Sequence, residues 1–286
     1  MDSAPNALHV LTSGLSQNDA MKIAAVQMVS TPDVASNLQA AGRLIAQAAA
    51  AGAGLVALPE YFCVLGRHDT DKLAHAEAPG SGPIQAFLAQ AALRHGLWLI
   101  GGTLPIRSGS EGRVLNSNCV YAPDGTLAAR YDKIHLFAFD NGGERYDEGR
   151  TLQAGSAPVA VQAGPLRVAL SVCYDLRFPE LYRAMMNPPC DLISVPSAFT
   201  YTTGRAHWEL LLRARAVENQ CYVLASAQGG THENGRRTWG HSMIVDPWGE
   251  VLAVQAEGEG VVLAELDTAR LAQVRRQLPA LAHRRL

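Results

Sequence analysis

The sequence lacks the paired cysteines of a disulfide-stabilised protein. Its five cysteines are odd in number, and no two stand in a CxxC spacing. Disulfide frameworks use paired cysteines and persist in oxidising compartments, so we expect free thiols and a reducing, cytoplasmic location. The beginning of the chain also lacks the basic start and apolar core of a signal peptide. We therefore predict a disordered lead over residues 1–20 and a single domain over residues 21–286.

Long apolar runs and a strong charge of one sign are also missing. No stretch approaches the roughly 20 apolar residues that cross a bilayer, so we expect no membrane partner. The formal net charge is -2 and most basic residues are scattered, which argues against a nucleic-acid partner. The basic pairs Arg275-Arg276 and Arg284-Arg285 are predicted to lie in a solvated or subunit-spanning tail. Binding of an anionic partner is the alternative.

The short spacings that build metal and phosphate sites are absent as well. His207, His232 and His241 never fall in a pattern such as HExxH, so no metal is expected. Gly101-Gly102 and Gly229-Gly230 do not continue into a phosphate loop and are predicted to be strand-end turns. We therefore expect chemistry that uses side chains alone, with no cofactor.

What the sequence does have is a repeated order of apolar segments. Both halves run strand, helix, strand, strand and turn, and nearly half of all residues are apolar. The predicted strands cover 22–28, 54–59, 97–101, 116–121, 128–132, 166–172, 191–196, 222–227 and 241–245, and the predicted helices cover 37–51, 82–95 and 206–219. This order predicts an α/β fold, a four-layer α-β-β-α sandwich with internal pseudo-twofold duplication.

Cys173 stands where an apolar run breaks into a turn. The run covers residues 166–172, and Tyr174 follows the thiol. A buried core thiol is the ordinary fate of a free cysteine, but the carboxyl ends of strands in α/β folds face the ligand crevice. The sequence therefore predicts a nucleophilic thiol, with the Tyr174 N–H as a donor to a developing oxyanion.

Two charged residues occupy comparable strand ends. Glu60 closes the strand over 54–59, and Lys133 follows the strand over 128–132. Taken singly, each fits a solvated surface position. Beside Cys173, the carboxylate can act as a general base, while the ammonium can lower the pKa of the thiol and stabilise a tetrahedral intermediate. Thiol, carboxylate and amine together predict acyl transfer by a cysteine nucleophile.

Four further residues are predicted to surround these groups. Glu148 lies in a polar segment over 140–150 that we expect to be a pocket-lining loop, although a solvated acid is the alternative. Arg177 can pair with a substrate carboxylate in a forked geometry, or form a structural salt bridge to an acid such as Glu180. Phe199 and Thr200 are predicted pocket walls, with simple loop packing as the alternative.

These residues stand in segments that resemble the nitrilase superfamily of carbon–nitrogen hydrolases. The matching segments are residues 58–60, 131–137 and 173–180, and the likeness extends over residues 21–286. The resemblance implies that Glu60 is the general base, Lys133 the cation that stabilises the intermediate, and Cys173 the nucleophile. It implies that Glu148 is a second active-site glutamate that positions Lys133 and the substrate amide. It also implies pairing into a homodimer or a higher homo-oligomer.

Within the superfamily the chain is most similar to the Nit branch, on residues 196–223 and 240–249. This likeness implies an amidase for a small amide that bears carboxylates, such as deaminated glutathione. The amide would be cleaved to an acid and ammonia through a cysteine thioester. Residues 200–203 and 229–231 depart from the branch, in segments predicted to be pocket-edge loops.

Other functions remain open on the sequence alone. An enzyme with the same three residues could be an ω-amidase for α-keto amides, an N-carbamoyl amide hydrolase or a nitrilase. A different class of protein, an oligomeric binding scaffold that retains only the fold, is the non-enzymatic alternative.

Overall fold

The computed structural model describes residues 20–285. The predicted lead over residues 1–20 therefore lies outside the described residues, apart from Ala20. Within the described range, no helix is long and apolar enough to cross a membrane.

The strands are numbered in chain order. They are β1 (Met21–Gln27), β2 (Leu55–Ala57), β3 (Trp98–Ile100), β4 (Leu104–Arg107), β5 (Val114–Tyr121), β6 (Leu127–Asp132), β7 (Ala138–Asp140), β8 (Arg145–Asp147), β9 (Leu152–Gln153), β10 (Val159–Ala163), β11 (Leu166–Leu170), β12 (Leu192–Ser194), β13 (Tyr222–Ala225), β14 (Ser242–Val245), β15 (Val251–Gln255) and β16 (Gly260–Leu266).

The α-helices are numbered in the same way. They are α1 (Val34–Ala50), α2 (Asp71–Ala74), α3 (Pro83–His95), α4 (Pro179–Ala184), α5 (Tyr201–Asn219) and α6 (Thr268–Gln277). Short 3-10 helices cover Glu148–Arg150, Cys173–Arg177 and Ala280–His283.

Most of the strands form two mixed sheets. The first has the order β16-β1-β2-β3-β5-β4, with β6 and β9 also paired to β5, and the second has the order β10-β11-β12-β13-β14-β15. In each sheet three neighbouring parallel strands, β1 to β3 or β11 to β13, have an antiparallel strand on either side. The predicted α/β class is confirmed, as two mixed sheets flanked by helices.

The side chains of β1 show how the layers pack. Ala24 and Val26 belong to the apolar core beneath α1 and α3, whereas Ile23 and Ala25 belong to the core between the two sheets. Successive side chains of a strand point to opposite faces, so both faces of β1 are buried. This explains why the sequence of β1 is a nearly continuous apolar run. Trp208 of α5 packs in the core of the second sheet.

Two helices begin earlier than their apolar periods indicate, because a capping residue precedes each. α1 begins at Val34 instead of residue 37, since the Asp33 carboxylate accepts a 2.8 Å hydrogen bond from the Ser36 N–H. α5 begins at Tyr201 instead of residue 206, since the Thr200 hydroxyl accepts from the Thr203 N–H. The pocket-edge loop predicted over residues 200–203 is therefore the cap and first turn of α5.

The polar loop predicted over residues 140–150 is instead a hairpin followed by a 3-10 turn. Strands β7 and β8 pair antiparallel, and the Asn141 side chain accepts from the N–H groups of Gly143 and Glu144 at 2.9 and 2.7 Å. Such a side-chain-bonded turn closes a hairpin without an apolar signal in the sequence. Glu148 is therefore placed in the site by an ordered hairpin and not by an irregular loop.

Candidate active site

Cys173 is presented on a sharp turn after β11. Its N–H donates to the Pro196 carbonyl at 2.9 Å, and its φ of 49° lies in the left-handed region that non-glycine residues seldom occupy. The Asp175 carboxylate holds the turn by accepting from the Val172 N–H at 2.8 Å. Strained backbone of this kind concentrates at functional sites, and here it turns the thiol away from the end of its strand.

The same carboxylate ties the Cys173 turn to the segment that carries Lys133. Asp175 accepts from the Tyr131 hydroxyl at 2.7 Å and from the His135 N–H at 3.1 Å, and it lies 2.7 Å from His135 Nδ1. Asp175 is fully buried. The buried Asp175 carboxylate therefore fixes the position of the Cys173 thiol relative to the Lys133 amine.

Glu60 is a buried carboxylate with four hydrogen-bonding partners around it. Its Oε1 accepts from Lys133 Nζ and from Asn116 Nδ2, both at 2.9 Å, and its Oε2 accepts from the Ala198 N–H at 2.9 Å. The Gln228 side chain donates to the Glu60 backbone carbonyl at 3.0 Å. The residue is 1% exposed, so the solvated strand end that the sequence left open is excluded.

Gly102 allows the loop after β3 to lie against this turn. Its φ is 61°, and a Cβ at this position would collide with the Pro59 carbonyl, next to Glu60. The predicted strand-end turn at Gly101-Gly102 thus supports the backbone that carries Glu60.

Lys133 lies between two carboxylates. Its Nζ donates to Glu60 at 2.9 Å and to Glu148 at 2.7 Å, and its side chain is fully buried. Burial alone would lower the pKa of Lys133, but the carboxylates of Glu148 and Glu60 raise it above the ordinary value. The amine is therefore a charged ammonium at neutral pH, and a surface lysine is excluded.

Glu148 completes the buried charge network. Besides Lys133, it accepts from the Phe137 N–H at 2.7 Å and from the Tyr61 hydroxyl at 2.9 Å. Burial would raise the pKa of Glu148, but the Lys133 ammonium and these hydrogen bonds hold it below its ordinary value. Glu148 is thus ionised in place, and its side chain is only 14% exposed.

The Cys173 thiol rests in its neutral form. Burial, followed by the Glu60 carboxylate, raises the pKa of the thiol well above its ordinary value, and Lys133 lowers it by less. Lys133 does lower the pKa of the thiol, as expected, but burial and the Glu60 carboxylate raise that pKa by more. A neutral thiol needs a base at the moment of attack, and of the charged groups that act on the thiol the Glu60 carboxylate has the largest effect on its pKa.

Cys173 opens into a cavity of about 260 Å³, which we call the inner chamber. The four residues predicted to bind substrate, Tyr174, Arg177, Phe199 and Thr200, all line it. A second cavity of about 520 Å³, the outer chamber, shares Phe137, Glu148 and Arg236 with the first. The two chambers therefore meet at the glutamate of the charge network.

Arg177 has the contacts of a pocket residue. Its guanidinium lies over the rings of Phe199 and Tyr174, at 5.5 and 5.8 Å, and its Nη1 is 3.2 Å from His207 Nδ1. Among the ion pairs of the described chain none includes Arg177, so the salt bridge to Glu180 is not formed.

The structure adds residues that the sequence analysis did not single out. Asn116 and Ala198 bind the Glu60 carboxylate, and Tyr61 binds Glu148. Asn116 carried a signal, because it is a polar residue inside the otherwise largely apolar strand β5. Ala198 and Arg236 carried no such signal in the sequence. Ala198 acts through its backbone N–H, which nearly every residue has, and a functional loop arginine cannot be told from any other loop arginine.

The protein family to which the chain is similar shows which class of protein has this site. The model of the carbon–nitrogen hydrolase family matches residues 22–276. The chain belongs to the carbon–nitrogen hydrolase family. The resemblance to the nitrilase superfamily is thereby confirmed, and the enzyme is a hydrolase and not a binding scaffold. The relatives described next confirm the resemblance to the Nit branch.

Other members of the carbon–nitrogen hydrolase family are similar along most of the chain. A deaminated glutathione amidase of Synechocystis sp. is 44% identical over 265 residues, which is 91% of this chain and 97% of the relative. The crystal structure of the C. elegans NitFhit protein superposes with a TM-score of 0.87 at 39% identity, covering 93% of this chain and 65% of that longer chain. An amidase of Nesterenkonia sp. AN1 carries acrylamide added at its active-site cysteine; it is 27% identical with a TM-score of 0.76 over 91% of this chain and 98% of its own.

The histidines tested for metal spacing have other partners. His232 is buried between the Ser30 carbonyl and the Thr238 hydroxyl, each 2.9 Å from a ring nitrogen, and burial lowers the pKa of His232 to about 4. Within residues 20–285, no group of three or more His, Cys, Asp and Glu side chains is arranged to hold a metal ion.

Iodoacetamide should alkylate Cys173 far faster than the other four cysteines. All five are free, but the others are fully buried, whereas Cys173 lines the inner chamber. Because its pKa is raised, the thiolate fraction and the rate should keep rising about tenfold per pH unit through pH 9. Peptide mass spectrometry of the native protein measures both quantities. Equal labelling of all thiols, or a rate that levels off below pH 8.5, contradicts this account.

Proposed function

We propose that this hydrolase cleaves small carboxylate-bearing amides through a thioester on Cys173, with deaminated glutathione as the favoured substrate. One observation carries the proposal. A buried network of Glu60, Lys133 and Glu148 lies beside a neutral thiol, in a chamber that also contains Arg177. The deaminated glutathione amidase from Synechocystis supports the substrate.

In the first half of the cycle, Cys173 Sγ attacks the amide carbonyl carbon while Glu60 takes the thiol proton. The carbonyl oxygen becomes an oxyanion, which the Lys133 ammonium and the Tyr174 N–H stabilise. Because the ammonium is already fixed by two carboxylates, it needs no reorganisation when charge develops. Glu148 holds Lys133 in place and faces the amide nitrogen at the junction of the chambers.

In the second half, the carbon–nitrogen bond breaks and Glu60 returns its proton to the leaving nitrogen. The leaving group is ammonia for a primary ω-amide. Deaminated glutathione has only peptide-type amides, so its leaving group is an amine. Water then attacks the thioester while Glu60 takes a water proton, and the acid leaves as Cys173 regains its hydrogen.

Substrate recognition is assigned to the wall of the inner chamber. Arg177 pairs with a carboxylate of the acyl portion, because its guanidinium has no acidic partner in the described chain. Phe199, which packs on Trp208 with ring centroids 4.8 Å apart, and Thr200, which caps α5, form rigid walls around it.

Three properties of the whole molecule are also proposed. The matching strand patterns of the two sheets support a four-layer α-β-β-α stack with an internal pseudo-twofold over one domain, residues 21–286. The exposed apolar residues Leu210, Val217 and Trp248 line one groove beside α5, which supports a homodimer or a higher homo-oligomer. Five free cysteines support a cytoplasmic location.

A panel of three amides and one nitrile tests the proposed substrate. Deaminated glutathione should have the highest kcat/KM, α-ketoglutaramate should follow, and an N-carbamoyl amide and a simple nitrile should be poor substrates. Acid, amine and ammonia release are each measured, so that the bond cleaved is known. A preference for the nitrile or the carbamoyl compound contradicts the proposal, and a preference for α-ketoglutaramate selects the ω-amidase alternative.

A further inference from the structure

Arg236 occupies a position that the proposed mechanism does not use. It lines both chambers and therefore lies at their junction, whereas Arg177 lines only the inner chamber. Its Nη2 donates to the Ala198 carbonyl at 2.7 Å, and its guanidinium lies 5.2 Å from the centroid of the Tyr146 ring. These contacts hold the side chain in a fixed orientation.

The guanidinium is held without an acidic partner. No carboxylate lies within ion-pairing distance of Arg236 in the described chain, and its buried Nε has no hydrogen-bond acceptor there. Because Nε is buried, a ligand carboxylate would have to reach the guanidinium through its Nη atoms, which carry four of its five N–H donors. A planar guanidinium is best matched by a carboxylate that binds through two oxygens.

The acids of the outer chamber are engaged elsewhere or balanced. Glu148 is paired with Lys133 at 2.7 Å. Asp69 faces Lys72, whose pKa burial lowers while the Asp69 charge raises it in part. Asp147 is the remaining acid of the wall, and it does not pair with Arg236. The outer chamber thus contains two cations without an ion pair in the described chain, Lys72 and Arg236, and of the two only Arg236 also lines the inner chamber, where the amide is attacked.

The geometry of the reaction says which part of a substrate reaches Arg236. The acyl group stays bonded to Cys173 in the thioester, so it occupies the inner chamber with Arg177. The departing amine must lie on the other side of the scissile bond and leave past Glu148. The outer chamber is the larger of the two, with about 520 against 260 Å³ of space including its opening to solvent.

From these observations, and resting on the proposed function, we propose that Arg236 binds a carboxylate on the leaving amine of the substrate. The outer chamber is then the binding site for the amine portion of an N-substituted amide. Arg177 and Arg236 act as two carboxylate receptors on opposite sides of the scissile bond. Arg236 accordingly determines specificity between long amides and primary amides that share an acyl group.

The test compares three substrates with one acyl group. They are α-ketoglutaramate, deaminated glutathione, and deaminated glutathione whose glycine carboxylate is converted to a carboxamide. The variants are Arg236→Gln and, as a matched control, Arg237→Gln. Arg237 is the next residue along the chain; it lines neither chamber and pairs with Glu257 at 2.9 Å on the surface.

We expect Arg236→Gln to lower kcat/KM for deaminated glutathione about 10- to 100-fold, mainly through KM, and to leave α-ketoglutaramate unchanged. Blocking the glycine carboxylate should cause a loss of the same size in the wild type and no further loss in Arg236→Gln. Arg237→Gln should behave as the wild type on all three substrates.

Two outcomes overturn the inference while the proposed function stands. In one, Arg236→Gln loses activity equally on α-ketoglutaramate, which shows that Arg236 acts only by supporting Ala198 and hence Glu60. In the other, the wild type does not distinguish the free from the blocked carboxylate. If the wild type hydrolyses none of the three amides, the proposed function fails, and the inference fails with it.

Discussion

Replacing Cys173 with alanine should reduce turnover of every amide substrate by about 10⁴-fold or more. The substitution removes the atom that forms the thioester, and neither Glu60 nor Lys133 can replace it as a nucleophile. The side chain is 7% exposed and faces the inner chamber, so we expect a stability change of only about 1 kcal/mol. Steady-state kinetics and thermal unfolding, measured on the same preparation, separate the two effects.

Cys221→Ala is the matched control for this variant. Cys221 is a fully buried core thiol, and it does not line either chamber. It should lose stability through a small cavity and retain full kcat. If Cys173→Ala keeps its turnover, or if Cys221→Ala loses it, the nucleophile has been assigned to the wrong residue.

Replacing Lys133 with methionine should affect activity and stability together. The ammonium is the counter-ion of two buried carboxylates, so its removal leaves them unpaired at a cost of about 3–5 kcal/mol in the free energy of unfolding. Activity should fall by about 10³-fold, because the oxyanion loses its cation. Lys22→Met is the control, since Lys22 bonds only an exposed backbone carbonyl, that of Ala51.

The stability of Lys133→Met should also depend on pH in a direction that can be predicted. Without the ammonium, burial should raise the pKa of Glu148 above its value in the unfolded chain. A raised carboxyl pKa stabilises the folded state below the unfolded pKa, and that stability is lost as pH rises through the folded pKa. The stability gap to the wild type should therefore narrow from pH 8 to pH 5, as measured by chemical unfolding at each pH.

A second substitution in the same variant separates the effect of the buried charges on stability from the effect of Lys133 on catalysis. Lys133→Met combined with Glu148→Gln removes one of the unpaired carboxylates, so it should recover part of the stability and none of the activity. A stability gap that does not change with pH, or a double variant less stable than Lys133→Met, contradicts the role of Lys133 as the buried counter-ion.

The positions of Cys173, Glu60 and Lys133 could be predicted because each carries a local signal. Cys173 and Glu60 each follow an apolar run at the point where the run breaks, and Lys133 follows the end of a predicted strand over residues 128–132. The geometry between them was not readable, because it depends on contacts between distant segments. The Ala198 N–H binds the Glu60 carboxylate across 138 residues of chain, and nothing around residue 198 indicates this.

The same limit explains what was missed in the fold. The existence of the central strands followed from their apolar runs. The pairing of β16 with β1 did not, since Met21 pairs with Leu266 at the far end of the chain. The early starts of α1 and α5 were missed because their caps, Asp33 and Thr200, act through single hydrogen bonds outside the apolar period. Apolar periodicity thus locates elements, and polar contacts set their ends and partners.

The hydrogen bonds of Glu60 have a consequence for the evolution of the enzyme. The carboxylate follows a strand of the first sheet, but the donors at Ala198 and Gln228 belong to segments that follow strands of the second. A slight shift of one sheet over the other therefore displaces the Glu60 carboxylate from the thiol. A laboratory selection for faster turnover will therefore also remove variants whose core between the sheets is poorly packed. Mutations in that core will be detected as losses of activity.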